Sequence, residues 1–243
     1  ASVRDTIRGP DTMSIKDHGA GRVVMRDTVL CLCDLTGNFA APWVDAGYKA
    51  ILIDPQHDGI TVRGNITRVG YVIDSPEAWA IIRMAQRRIA FTAAFPPCTD
   101  LAVSGARWFA AKAEADQAFQ FRAMHVVWQC QAIAEMIGAP WMIENPVSQV
   151  STFWRRPDHR FDPCDFTGFE PADNYTKKTC LWTGAGFVMP QTCRADLGPP
   201  DDRIHKAAPG PDRANFRSAT PMGFARAVFA ANAPHARQLE AAE

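Results

Sequence analysis

The chain has 243 residues, 47% hydrophobic and 21% charged, with 26 lysines and arginines balancing 26 aspartates and glutamates. That leaves room for one large α/β domain. The zero net charge excludes a polycation that holds nucleic acid by charge alone, though not a local basic face. No run approaches the roughly 18 apolar residues that span a bilayer.

In chain order, residues 1–27 are polar, lack the apolar core of a secretory signal and read as a loose leader. "RDTVLCLCDL" is continuously apolar, the pattern of a strand buried on both faces. Period 2 puts Cys31 and Cys33 on one face of it, as core residues. "TGNFAAPWVDAG" follows as a turn and a short helix, then "YKAILIDPQ" as a second buried strand ending at Asp54. "SPEAWAIIRMAQRR" reads as a helix with Ser75 as N-cap and Pro76 at its first position. "IAFTAAF" is a strand running into Pro96. Helical spacing from Phe119 to Ile137 predicts one long helix over about 113–137. "PWMIENP" is a short strand. Beyond residue 150, loops rich in Pro, Gly, Arg and Asp surround one strand, "TCLWTG", before a last helix, "PMGFARAVFAANA". Residues 28–243 read as a single domain.

Alternating strands and helices predict a mostly parallel sheet with helices on both faces. Ligands of such sheets sit beyond the carboxyl ends of the strands. Asp34, Asp54, Cys98 and Glu144 all fall at or just past predicted strand ends, so they should share one edge. Seven cysteines with no CxxC pair form no disulfide framework, which suggests reduced thiols and a cytoplasmic protein. Cys98 in "FPPCTDLAVSGAR" has two readings, a small buried core residue or a nucleophile held by a stiff backbone. Its place on the shared edge favours the second.

The Pro-Pro-Cys at one strand end and Glu-Asn-Pro at another resemble the DNA cytosine-5 methyltransferases, in motif order over roughly residues 28–232. Pro96, Pro97, Cys98, Gly105 and Arg107 fall at that family's spacing without a gap. The resemblance implies a Rossmann-like, S-adenosylmethionine-dependent fold and a covalent mechanism. Cys98 would be the nucleophile. Glu144 matches the acidic residue of the second catalytic motif, with Pro146 where the family usually has Val. In "YTKKTCLWTG", Lys177 matches the catalytic arginine that contacts the base, with Lys178 beside it. "CDLTGNFAAPWVDAGY" resembles a shortened cofactor loop, keeping Asp34, Leu35 and Gly37. Asp54 matches the acid on the cofactor ribose, Asn65 and Ile66 the pair against the adenine, and Pro96 also borders the cofactor. "RSATPMGFARAVFAAN" resembles the final motif, with Ser218, Ala219 and Pro221 near the cofactor. Arg217 and Ser218 stand where a Gly-Asn pair is usual.

Several expectations follow from the resemblance. A thiolate adding to carbon 6 of cytosine makes carbon 5 nucleophilic, so Cys98 needs a depressed pKa or nearby cations. Glu144 would hold or protonate ring N3 and Lys177 the carbonyl O2. The base must leave the duplex stack, so DNA with a flipped cytosine is the expected partner. Ser104 and Gly105 would let the loop after Cys98 close. The family's large recognition domain is nearly absent, because only residues 185–216 fill its place. Residues 151–216 would instead form a loop-rich, substrate-facing region of low sequence specificity. Arg155, Arg156 and Arg160, with Trp154, are the candidate nucleic-acid surface. Ser104, Arg107, Lys178 and Arg217 would also face substrate; no metal ligand set is expected. RNA or free cytidine nucleotides are alternative substrates. Arg217 makes carboxy-S-adenosylmethionine an alternative donor. A nucleic-acid-binding homologue without activity is the non-enzymatic alternative. Short, recognition-poor forms suggest a phage or mobile-element origin in a bacterial host.

Overall fold

The computed structural model describes residues 25–206 and 213–233. β1 (Thr28–Leu32) is buried along its whole length and leads through a turn to α1 (Ala41–Asp45) and β2 (Lys49–Ile53). A hairpin of β3 (Ile60–Arg63) and β4 (Ile66–Val69) follows, turning at Gly64 and Asn65. The sequence reading did not anticipate it, because every residue of β3 is exposed and so leaves no alternation to detect. α2 (Pro76–Ala85) begins as expected: the Ser75 hydroxyl accepts from the Ala78 N–H at 3.1 Å, and Pro76 occupies the first turn. β5 (Ile89–Ala94) then runs into Pro96.

The predicted helix over 113–137 is two helices, α3 (Phe109–Ala115) and α4 (Phe119–Ile137). Asp116 is extended, and its carboxylate accepts from the Ala118 N–H at 3.0 Å. That local bond competes with helical continuation. After β6 (Trp141–Pro146) come α5 (Val150–Phe153), β7 (His159–Phe161), β8 (Thr179–Gly184), α6 (Arg203–Lys206), α7 (Arg213–Ser218) and α8 (Met222–Asn232). Three-residue β7 is too short to give a sequence pattern.

The strands form one sheet in the order β3-β4-β2-β1-β5-β6-β8-β7. The pairs β1/β2, β1/β5, β2/β4 and β5/β6 are parallel; β3/β4, β6/β8 and β7/β8 are antiparallel. This is an α/β fold with a mostly parallel mixed sheet, consistent with a Rossmann-like arrangement. The chain winds from β1 towards β4, then returns to β5 on the other side of β1. That reversal leaves a crevice beyond the carboxyl ends of β1 and β5.

Two cores cover the two faces. α2 and α4 pack Ile82, Val127, Cys130 and Ile133 on Leu30, Leu32, Ile143 and Trp182. α1 and α8 pack Trp43, Phe224 and Val228 on Val29, Phe91, Met142 and Leu181. Cys31 lies in the second core, while Cys33 packs on the first. The expectation that they share a face fails because Cys33 has φ 57°, which ends the strand and rotates its side chain. All seven cysteines are free.

Most of the expected leader lies outside the described residues. Arg26 and Asp27 are already tied to the sheet: the Arg26 guanidinium donates to Ile89 O at 3.2 Å, and Asp27 pairs with Arg88. Residues 185–202 hold no helix or strand, as the composition suggests. They are nonetheless anchored, through Cys193 N–H to Asp165 O at 2.8 Å and Thr176 N–H to Asp201 O at 2.9 Å. Among the described residues no helix is long and apolar enough to cross a membrane.

Candidate active site

The crevice collects four of the expected residues because each follows a strand that ends on the same edge. Asp34 follows β1, Asp54 follows β2, Cys98 follows β5, and Glu144 lies near the end of β6. Asp34 and Asp54 continue the ladder, donating N–H to Ile53 O at 3.3 Å and Val69 O at 3.1 Å.

Two proline rings fix the backbone before Cys98. The preceding Phe95 N–H makes the last ladder bond, to Leu32 O at 2.9 Å, and Pro96 O accepts from the Asn145 side-chain amide at 3.0 Å. The strand carrying Glu144 thus braces the peptide that carries the thiol. Cys98 O accepts from Leu101 N–H and Ala102 N–H at 3.0 and 2.8 Å. The next stretch is pinned to the loop after β6 by Val103 N–H to Val147 O at 3.0 Å and Gln149 N–H to Leu101 O at 2.9 Å. Ser104, Gly105 and Arg107 sit on a 3-10 helix, Val103–Trp108, so the segment expected to be loose is anchored at its base. Arg107 is exposed and lies over the Trp108 ring.

Glu144 is 8% exposed and its Oε1 has no hydrogen-bond partner. Burial pushes its carboxyl up, towards the protonated form, and Lys177 pulls the other way. Lys177 is equally buried, and its ammonium donates to Ala219 O at 3.3 Å. Its backbone is held by Asp162, whose carboxylate accepts the Lys177 N–H at 2.8 Å. Its neighbour Lys178 is exposed, so the paired lysines separate into a site residue and a surface residue. Arg217 is close enough for its charge to favour the thiolate weakly, and its buried Nε has no hydrogen-bond partner. Ser218 is exposed, and its hydroxyl donates to Asn215 O at 3.2 Å.

Of the two expected aids to the thiolate, a depressed pKa or a nearby base and cations, the thiol has the cations but is not depressed. Burial pushes Cys98 up, the Glu144 carboxylate adds to this, and Lys177 and Arg217 oppose it. A neutral thiol beside a carboxyl tending to neutrality is the lower-energy resting arrangement when both groups are out of water. Protonating Glu144 removes the charge that most disfavours the thiolate.

At the other end of the crevice the Asp34 carboxylate accepts from Gly37 N–H at 2.8 Å and the Thr36 hydroxyl at 3.2 Å. Its second oxygen is buried and unpaired, and burial pushes this carboxyl up. Gly37 has φ +72°, a conformation that strains residues with a side chain, and a Cβ there would also press on Leu52 Cδ1 at 2.9 Å. The Asn38 side chain donates to Thr220 O at 3.3 Å, joining this loop to the segment before α8. Asp54 is 7% exposed, and one oxygen takes the Gln56 N–H at 2.9 Å. Unpaired acceptor capacity at Asp34, with Asp54 beyond β2, suits a ligand carrying an ammonium or hydroxyl groups.

Asn65 and Ile66 do not join this site. Asn65 is in the hairpin turn, and Ile66 pairs with Ala50 near the start of β2, at the opposite edge. Because β4 runs parallel to β2, the crevice end of β4 is Val69, followed by Gly70 and Tyr71. Arg155 and Trp154 also depart from expectation. Arg155 pairs with Asp158 at 2.7 Å and lies over the Trp154 ring, which stacks on Trp182. Trp154 is packed against the core rather than offered as a stacking platform.

Two residues were missed. Asn145 follows Glu144 in "IENP", and its adjacency was the only available signal. Tyr175 is 8% exposed and feels Glu144 and Asp173; nothing in its spacing marks it. No family model matches the chain, and no curated protein matches it.

Proposed function

We propose that the protein transfers a methyl group from S-adenosylmethionine to carbon 5 of cytosine in DNA, through a covalent adduct on Cys98. The supporting observation is the meeting of a thiol, a buried carboxyl with an unpaired oxygen and a buried ammonium beyond β5 and β6. Pyrimidine activation needs a nucleophile for carbon 6 and groups that absorb the charge this addition sends into the ring.

In this reading the Glu144 carboxyl, which burial pushes towards the protonated form, holds or protonates ring N3 of a flipped base. Lys177 turns its ammonium from Ala219 O to the base carbonyl O2. The Cys98 thiol gives its proton to solvent as the sulfur forms a bond to carbon 6, and the electron pair of the carbon 5–carbon 6 double bond passes into the ring, leaving carbon 5 with enamine character. Asp34 and Asp54 would hold S-adenosylmethionine, which when bound would supply an electrophilic methyl group, its carbon–sulfur bond breaking to leave the neutral thioether. A base then removes the proton from carbon 5, and the Cys98–carbon 6 bond breaks to release the thiolate.

The test uses DNA carrying 5-fluorocytosine. Fluorine cannot leave carbon 5 as a proton does, so the adduct is trapped. With cofactor, wild type should give a shifted band on a denaturing gel and Cys98→Ser none. A shift that survives in Cys98→Ser overturns the role of Cys98. Labelled cofactor with duplex DNA, single-stranded DNA, RNA or dCMP identifies the acceptor. No transfer to any of them overturns the enzyme reading and leaves the binding-only alternative. The unpaired, buried Nε of Arg217 favours a second donor, carboxy-S-adenosylmethionine. Mass spectrometry of the digested DNA would then show 5-carboxymethylcytosine.

A further inference from the structure

A second cationic feature lies outside the crevice. A cleft of about 450 Å³ opens between α5 and β7, lined by Ser151, Thr152, Arg156, Asp158, His159 and Arg160. Arg156 and Arg160 are exposed, and neither joins any of the carboxylate pairs seen among the described residues. Asp158, the acid in the cleft, is already neutralised by Arg155 and also accepts from Thr183 N–H at 2.7 Å. His159 turns its ring to the other face of the sheet, against Phe187. Two guanidinium groups without a carboxylate partner, that of Arg160 beside the Cys180 thiol, and two hydroxyls therefore line the cleft with no uncompensated negative charge.

The register fixes where this cleft lies relative to the thiol. Arg160 pairs with Cys180, and Cys180 pairs with Asn145, the residue that braces Pro96. Two strand spacings, roughly 10 Å, separate the Arg160 backbone from that of Asn145. A nucleic-acid strand carries a phosphate every 3.4 Å or so of helix axis, so a strand with one base in the crevice brings its neighbouring phosphates within reach of this cleft.

We infer that the Arg156–Arg160 cleft seats backbone phosphates of the strand that delivers its base to Cys98. This inference rests on the nucleic-acid reading above and names the part of the surface that holds the strand. Guanidinium forks match phosphate oxygens, and the Ser151 and Thr152 hydroxyls add donors. Such contacts position the strand without reading its sequence, which suits a chain with little else to reach base edges.

The experiment measures affinity for a short fluorescein-labelled DNA duplex across a range of salt, in Cys98→Ser protein so that turnover plays no part. Arg156→Gln/Arg160→Gln should weaken binding at least about tenfold at low salt and flatten the log–log salt slope by about 2, one for each lost phosphate contact. Arg156→Lys/Arg160→Lys should keep most of the slope. Arg88→Gln, whose charge is paired with Asp27 at the opposite edge of the sheet, should leave it unchanged. An unchanged slope in the double glutamine variant overturns the inference, and so does an equal loss in Arg88→Gln. If the double variant loses binding while wild type transfers no methyl group, the cleft stands and the catalytic reading falls.

Discussion

The Cys98 pocket, beyond β5 and β6, and the Arg156–Arg160 cleft, two strand spacings from β6, differ in how they hold charge. In the pocket Glu144 and Lys177 are each 8% exposed, and buried polar atoms of Glu144, Asn145 and Arg217 are left unpaired. Burying such groups costs free energy unless a partner arrives, so the pocket is poised for a ligand. In the cleft the cations stay in water, where desolvation is small and salt screens them. On the proposed function, chemistry would be concentrated where charges are held without solvent, and holding a long anionic strand would be left to groups that remain hydrated.

The sharpest way to break this comparison is Glu144→Gln. Turnover should fall on the order of 100- to 10,000-fold, while the salt-dependent DNA affinity stays near wild type. The neutral amide also removes the carboxylate that disfavours the thiolate, so the pH midpoint for iodoacetamide alkylation of Cys98 should move down. A matching loss of affinity would show that pocket and cleft are one binding surface.

The two adjacent lysines give the next test. Lys177→Met should lower turnover by roughly 100- to 1,000-fold, as loss of one charge-stabilising donor does. It should also move Cys98 alkylation to higher pH, because the cation that favours the thiolate is gone. Lys178→Met, at an exposed position, should change neither. Equal effects from both would place Lys178 in the pocket.

The smallest expected effect is structural. Asn145→Ala leaves Pro96 O without its donor and should cost about 1–3 kcal/mol of stability. For a domain of this size that lowers Tm by roughly 2–10 °C. Unchanged stability would mean that the brace between β6 and the Pro-Pro-Cys segment carries no energy.

The shared edge was legible in the sequence. Continuous apolar runs ending in Asp34, Asp54, Cys98 and Glu144 required buried parallel strands, and a parallel sheet places such ends together. Ser75 and Pro76 likewise marked the start of α2, because capping is local. The hairpin of β3 and β4 was not legible, since β3 is exposed throughout. Missing it put Asn65 and Ile66 at the wrong edge.

What the sequence determined by itself was the set of short-range decisions: which runs are buried, where caps and proline stops fall, and which residue types stand at strand ends. Only the tertiary structure decided which charges meet. It separated Lys177 from Lys178, pairing the first with Ala219 from 42 positions away. It committed Arg155 to Asp158 and left Arg156 and Arg160 without a carboxylate partner among the described residues. It also set the Cys98 thiol above its ordinary range rather than below, because burial and the Glu144 carboxylate outweigh two cations. Electrostatic energies depend on distance through a low-dielectric interior, and that distance is set by the packing of β6 against β8, not by spacing along the chain.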